Sequence, residues 1–76
     1  MKTIALIGSE ELAYRLVNYV TETGYAAISG MFDDFIPQGT IKYNYPILGK
    51  LDDVKSIYDH GVFDEVSIAV GYKFFF

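Results

Sequence analysis

The chain contains no cysteine and only one histidine, His60. The absence of cysteine excludes disulfide bonds, thiolate metal sites and thiol nucleophiles, and it is typical of proteins from reducing compartments. We therefore expect a cytoplasmic location. A single histidine without cysteine partners also argues against a transition-metal site. His60 lies near the predicted end of a helix, where a positive charge suits the helix dipole.

Positive charge is scarce as well. The 76 residues include six Lys and Arg against ten Asp and Glu, which gives a formal net charge of −4 and a pI near 4.6. Nucleic-acid binding depends on clustered Lys and Arg that neutralise phosphates. The six cations are scattered along the sequence, so we expect no nucleic-acid partner.

Long apolar runs are also missing. The N-terminal run from Ile4 to Ile7 ends at Gly8, which is too short for the core of a signal peptide. Nowhere do about 18 apolar residues follow one another, as a membrane-spanning helix requires, so no membrane insertion is expected. The composition is nevertheless 51% hydrophobic and 17% aromatic, which predicts a real core within one small domain spanning residues 1–76.

The first third of the chain has the pattern of a strand, a helix and a second strand. The apolar run from Thr3 to Ile7 predicts a buried strand. Ser9 is a candidate helix cap, so a helix should begin at about Glu10, and Thr23-Gly24 is a typical helix end. The residues from Tyr25 to Phe32 predict the second strand. This order is that of a βαβ unit with two parallel strands.

The remaining sequence predicts a loop, a helix and a third main strand. The stretch from Phe35 to Asn44 is irregular, and Tyr45 to Gly49 is a candidate for a very short strand. Helical spacing begins at Leu51 and ends near His60-Gly61. Glu65 to Val70 predicts the third buried strand. The expected fold class is therefore α/β, a small three-layer Rossmann-like domain with a short parallel sheet in the order β-α-β-loop-α-β.

The sequence also looks truncated. A doubly wound domain continues after its third strand with a further helix and more strands, and none follow here. The final Phe74 to Phe76 would be a large exposed apolar patch, so we expect these residues to pack against something.

Three short segments are expected to meet at the carboxyl edge of the predicted sheet: Gly8-Ser9, Asp33-Asp34 and Gly71-Tyr72. Ligands of open parallel sheets bind at this edge. Gly8 permits a tight turn, and the N–H groups of Ser9, Glu10 and Glu11 would open a helix whose dipole favours an anion. The alternative is an ordinary tight turn with a helix cap.

Asp33 follows the second strand, 25 positions after Gly8. An acidic residue at this place accepts hydrogen bonds from ribose hydroxyls in nucleotide-binding folds. The alternative is that Asp33 and Asp34 only initiate a turn. Tyr72, just past the third strand, is a candidate to stack on a base. These residues form the predicted ligand site, which consists of Gly8, Ser9, Glu10, Asp33, Asp34, Gly71 and Tyr72.

The predicted site has no catalytic residues. A dinucleotide fingerprint reads Gly-x-Gly-x-x-Gly, whereas the segment after the first strand keeps only Gly8 and a small last residue, Ala13. Glu10 stands where pyrophosphate should approach a bare backbone, which argues against ordinary NAD or FAD binding. No serine has a neighbouring base, and no spacing pairs two carboxylates for acid–base chemistry. We expect binding without catalysis, and no metal or cofactor within this chain.

Five segments in this order resemble the N-terminal domain of bacterial sugar acyltransferases of the PglD and NeuD type. They are Lys2 to Gly8, Phe32-Asp33-Asp34, Tyr45 to Gly49, Leu51 to Val54 and Ile68 to Gly71. The resemblance implies a Rossmann-like domain that binds a nucleotide-sugar. In that family a following left-handed β-helix carries the catalytic histidine, binds acetyl-CoA and forms trimers. No segment of this chain corresponds to it.

By this resemblance, Gly8 and Ser9 would face the sugar-phosphate, Asp33 and Asp34 the nucleoside, and Gly71 the floor between them. The favoured ligand is a UDP-amino sugar. The family turn usually reads Gly-x-Gly-Gly-His-Gly, and this chain departs from that pattern after Gly8. The leading hypothesis is a nucleotide-sugar-binding domain of a sugar N- or O-acetyltransferase acting in surface polysaccharide or glycan biosynthesis. The alternatives are a non-catalytic interaction or oligomerisation module and an NAD-type dinucleotide-binding fragment.

Overall fold

The structure, a computed structural model, describes residues 2–69. The apolar run after Lys2 forms the central strand, and the remaining elements build an α/β domain around it. The elements in chain order are β1 (Thr3–Ile7), α1 (Glu11–Thr23), β2 (Ala27–Phe32), β3 (Ile41–Lys42), β4 (Tyr45–Gly49), a 3₁₀ turn (Leu51–Asp53), α2 (Val54–Asp59) and β5 (Glu65–Ile68).

The strands form one five-stranded sheet in the order β3-β4-β2-β1-β5. Strand β1 pairs in parallel with β2 and with β5, and β2 pairs in parallel with β4. The predicted parallel arrangement of the three main strands is thus confirmed. The sheet as a whole is mixed, however, because β3 pairs antiparallel with β4. The prediction of a wholly parallel sheet was wrong at this edge.

Alternating residues of β1 divide the core into two layers. Ile4 and Leu6 pack on the α1 side, in a cluster whose other buried members are Ala13, Val17, Val20, Ala26, Met31, Ile47 and Ala69. Ala5 lies on the other side with Phe32 and Phe63, against which Val54 and Ile57 of α2 pack. Because successive strand residues point to opposite faces, this alternation places α1 and α2 on opposite sides of the sheet.

The predicted element boundaries are close to the observed ones where local chemistry sets them. Helix α1 begins one residue later than predicted and ends at Gly24, whose backbone is left-handed (φ 66°) and whose N–H donates to Val20 O at 2.8 Å. The second helical segment is a 3₁₀ turn followed by only six α-helical residues. The short strand predicted at Tyr45 to Gly49 is present and belongs to the main sheet.

The third main strand is less buried than its apolar sequence predicts. Val66 and Ile68 are 42% and 69% exposed, because β5 is an edge strand of the sheet within residues 2–69. The prediction of a buried strand was wrong for this part, and Val70 lies outside the described residues. In the described part of the chain, no helix is long and apolar enough to cross a membrane.

Candidate functional site

The carboxyl ends of β1 and β2 lie side by side. Ile7 pairs with Phe32 in the parallel register, and the N–H of Gly8 continues the ladder by donating to Phe32 O at 2.8 Å. The backbone of Gly8 has a φ of 103°, a region that glycine adopts far more readily than residues with a side chain. The turn from β1 into α1 therefore passes directly beside the residue that follows β2, which is Asp33.

Ser9 and Asp33 form a hydrogen bond between these two strand ends. Ser9 is fully buried, and its Oγ donates to Asp33 Oδ2 at 2.5 Å. The prediction that Ser9 caps α1 was wrong, because the cap position belongs to Glu10, whose side chain makes no capping hydrogen bond. The hydroxyl instead has a stronger acceptor, a carboxylate 24 residues further along the chain. The Glu10 side chain is exposed.

The other carboxylate oxygen of Asp33 organises the loop after β2. Asp33 Oδ1 accepts from the N–H groups of Phe35 at 2.7 Å and Ile36 at 3.2 Å. This is the turn-forming role that the sequence offered as an alternative. Burial acts to raise the pKa of Asp33, but the hydrogen bonds from Ser9, Phe35 and Ile36, together with the charge of Lys42, lower it overall. Asp33 is therefore held as a carboxylate that links both turns.

The remaining predicted site residues are not gathered at this point. Asp34 is exposed, and its Oδ1 accepts from the N–H of Leu51 at 2.9 Å, so it fixes the start of the 3₁₀ turn. The side chains of Asp33 and Asp34 thus serve different loops. Gly71 and Tyr72 lie outside the described residues. The structure brings together Gly8, Ser9 and Asp33, with Glu10 at the adjoining helix start.

A hairpin that the sequence did not reveal contributes two further residues. Strands β3 and β4 are joined by Tyr43 and Asn44, both with positive φ, 54° and 73°. Tyr43 packs on Tyr14 in the first turns of α1, with ring centroids 5.1 Å apart, and the Lys42 ammonium lies 5.4 Å from the centre of the Tyr43 ring. The Tyr43 ring of this hairpin therefore contacts the first turn of α1.

A groove borders the loop after β2. It has a volume of about 310 Å³ and lies between residues 34–38 and 49–53. Phe35 is 94% exposed on this loop. The Asp33 N–H donates to Gly49 O at 3.0 Å and the Gln38 amide to Leu48 O at 2.9 Å, which ties the loop to β4. Among residues 2–69 no group of three or more His, Cys, Asp or Glu side chains is placed to hold a metal ion.

This arrangement is suited to binding. Ser9 is buried and donates to a carboxylate, and His60 bonds through Nδ1 to Ser56 O at the end of α2. In both of these contacts within residues 2–69, the Ser9 hydroxyl and the His60 ring bond to other partners. A nucleophile and its general base would be hydrogen-bonded to each other. The groups that remain are the N–H groups at the helix N-terminus, which donate hydrogen bonds, and a fixed carboxylate, which accepts them.

The ionisation of Asp33 predicts acid sensitivity. Because the pKa of Asp33 is lower in the folded chain than its ordinary value of about 3.9, ionised Asp33 stabilises the fold above that value, and this stabilisation is lost as the pH falls through the folded pKa. Urea unfolding of the wild type and of Asp33→Asn, measured from pH 7 to pH 2.5, should show a stability difference that shrinks below about pH 4. A difference that stays constant over this range would contradict the prediction.

Comparisons with known proteins found no relative of this chain. A scan against protein-family models, a search of curated proteins and a search of solved structures each found no match. The geometry and chemistry of the chain's own residues therefore carry the functional argument.

Proposed function

We propose that this chain is a nucleotide-sugar-binding domain of a sugar N- or O-acetyltransferase acting in surface polysaccharide or glycan biosynthesis. The observation that carries the proposal is the junction of β1 and β2 at the carboxyl edge of the sheet. Here the Gly8 turn, the N-terminus of α1 and the ionised Asp33 lie together. Acetyl-CoA, a catalytic histidine and trimer formation belong, in this proposal, to the parent enzyme.

The order of the parallel strands supports a Rossmann-like domain. Counted along the chain, the four parallel strands lie in the order third, second, first, fourth. The same order occurs in doubly wound nucleotide-binding sheets. The helices α1 and α2 pack on opposite sides of the central strand, and the strand order reverses between β1 and β5. Ligands of such sheets bind beside that reversal.

Each group in the site has a role in the proposed binding. The first N–H groups of a helix have no partner within the helix, so those of α1 are donors for phosphate oxygens. Asp33 uses three of about four acceptor positions on internal donors. Its remaining position on Oδ2 would accept a ribose hydroxyl. Asp34 is not given a role in this binding, because its Oδ1 accepts from Leu51 N at the 3₁₀ turn. Gly71, for the floor of the site as the resemblance implies, and Tyr72, for stacking on the base, stay predictions.

Calorimetric titration of the folded chain with UDP-, GDP- and CMP-sugars tests the proposal. We expect measurable heat with a UDP-amino sugar and amide chemical-shift changes at residues 8–11 and 33. Asp33→Asn should weaken binding about tenfold, because a hydrogen bond to a charged acceptor is lost. Asp59→Asn is the matched control, since Asp59 pairs with Lys55 on α2. A folded chain that gives no response to millimolar ligand would refute the proposal.

A second candidate function, an interaction or oligomerisation module, is favoured by the exposed Val66 and Ile68 on β5. The aromatic residues Phe74 to Phe76 that first suggested it lie outside the described residues. Sedimentation of the same samples distinguishes the two candidates. Assembly that is independent of nucleotide, in a chain that binds none, would favour the module. Nicotinamide dinucleotides belong in the titration panel, because their binding would favour the NAD-type fragment.

A further inference from the structure

The two edges of the sheet are protected to different degrees. One edge is β3, which is only two residues long and includes Lys42. The other edge within residues 2–69 is β5, which contains neither proline nor lysine and pairs with β1 without a register shift. Edge strands present unpaired N–H and C=O groups, which proteins protect with short strands, prolines, bulges or charges. Apart from Glu65 at its start, the described β5 has none of these protections.

The backbone groups on the open side of β5 belong to Glu65 and Ser67. The N–H of Asp64 donates to Thr3 O of β1 at 2.8 Å. Because the backbone groups of successive strand residues point alternately to the two sides of the strand, Glu65 directs its N–H and C=O away from β1. Ser67, two residues further along, does the same. These two residues would therefore form the hydrogen bonds to an added strand.

The side chains of β5 form an apolar surface on the α2 side of the sheet. Val66 and Ile68 pair in register with Ala5 and Ile7 of β1, so they share the face of the sheet on which α2 packs. Both are exposed, and Ile68 is the more exposed of the two. A groove of about 690 Å³ lies beside Val66, between residues 51–58 and 63–66. A strand added to this edge would cover these side chains.

Charge and polarity decide how β5 can pair with the same strand of a second copy. In an antiparallel pair with two-fold symmetry, centring on Glu65 would place two carboxylates opposite each other, which is destabilising. Centring on Val66 would place Ile68 opposite the charged Asp64. Centring on Ser67 instead places Val66 opposite Ile68 twice. The two Glu65 carboxylates are then about 13 Å apart along the strands, beyond the screening length of about 8 Å at physiological salt.

We infer that β5 pairs antiparallel with β5 of a second copy, centred on Ser67, and so joins two five-stranded sheets into one. The Ser67 residues of the two copies exchange N–H···O hydrogen bonds, and Val66 of each copy packs against Ile68 of the other beside the groove. The outer edges of the joined sheet are two short β3 strands, so the assembly closes at the dimer. This inference deepens the second candidate function and does not depend on nucleotide binding.

Sedimentation equilibrium of the full chain over a range of concentrations tests the inference. A four-residue ladder is smaller than a standard interface of about 800 Å² per partner, so we expect dimers at concentrations of about 100 μM and above. The average mass should then rise from 8.6 kDa toward twice that value. Val66→Lys should abolish the rise, because it places a charge opposite Ile68 of the second copy. Val62→Lys, at an exposed valine outside the strands, is the matched control.

Mixing two variants tests the register. Val66→Lys and Ile68→Glu should each stay monomeric alone and form a heterodimer together, because the two introduced charges then lie opposite each other. A mixture of Val62→Lys and Ile68→Glu should form none. Circular dichroism confirms that each variant is folded.

Three results would overturn the inference. They are a wild type that stays monomeric up to about 1 mM, a dimer that Val66→Lys and Val62→Lys weaken equally, and a Val66→Lys and Ile68→Glu mixture that does not associate. Nucleotide-sugar binding is measured separately by calorimetry, so the failure of this inference and the failure of the leading proposal are distinguishable.

Discussion

Phe32→Ala is expected to lower the free energy of unfolding by about 3–5 kcal/mol. Phe32 is fully buried on the α2 side of the sheet, where its ring packs edge-on against Phe63 with centroids 5.7 Å apart. Truncation leaves a cavity between β2 and α2 that the surrounding side chains fill only in part. A domain of this size has a total stability of about 4–11 kcal/mol. The variant should therefore lose a large share of its stability, and it should be largely unfolded if the wild type lies near the lower end of this range.

Phe35→Ala is the matched control for this prediction. Phe35 lies three residues further along the chain and is 94% exposed, so its truncation should change the stability by no more than about 0.5 kcal/mol. Urea unfolding followed by far-ultraviolet circular dichroism measures both variants. Equal destabilisation by the two substitutions would show that the α2-side layer does not hold the domain together.

Local chemistry explains why much of the fold could be predicted. A glycine that accepts a left-handed backbone ends α1 at Gly24, and the apolar stripe of that helix buries Ala13, Val17 and Val20. The strand–helix–strand order then fixes the parallel pairing of β1 and β2. These features depend on residues a few positions apart, where a sequence pattern carries direct physical information.

The features that escaped prediction depend on contacts between distant residues. The turn at Tyr43-Asn44 has no glycine, so the usual hairpin signal is weak, and its packing partner is Tyr14. Ser9 has the typical chemistry of a helix cap, but a carboxylate 24 residues away competes for its hydroxyl. The edge position of β5 follows from the order of the strands, which its own apolar sequence does not encode.

In the candidate site too, features set by nearby residues could be predicted and features set by distant contacts could not. The turn at Gly8 and the position of Asp33 could be predicted, because strand ends of a βαβ unit meet at one edge. The separation of Asp34 from Asp33 could not, because it depends on the backbone of Leu51. The contact of Tyr43 with Tyr14 was missed for a similar reason, since an apparently irregular loop gives no sign of where it returns to the sheet.

Gly30→Ala is expected to destabilise the domain by about 2–4 kcal/mol, because β2 and β4 approach too closely there for a side chain. A Cβ at this position would lie 2.5 Å from Pro46 O and 2.7 Å from Leu48 Cγ. The first contact is with backbone, so β4 itself would have to move. Thermal and urea unfolding measure the loss, and hydrogen exchange should show reduced protection at Asp33, whose N–H donates to Gly49 O of β4.

Gly39→Ala is the control for Gly30→Ala, because it introduces backbone strain without a steric contact. Gly39 has a positive φ of 90°, but no atom lies within 4 Å of the place that an alanine Cβ would occupy, so only the strain remains, at about 1 kcal/mol. The difference between the two variants measures the close approach of β4 to β2. Because Gly49 O of β4 accepts from Asp33 N, any Gly30→Ala protein that still folds should also bind a UDP-sugar more weakly than Gly39→Ala. Equal stability and equal affinity of the two variants would mean that the β2–β4 contact does not position the site.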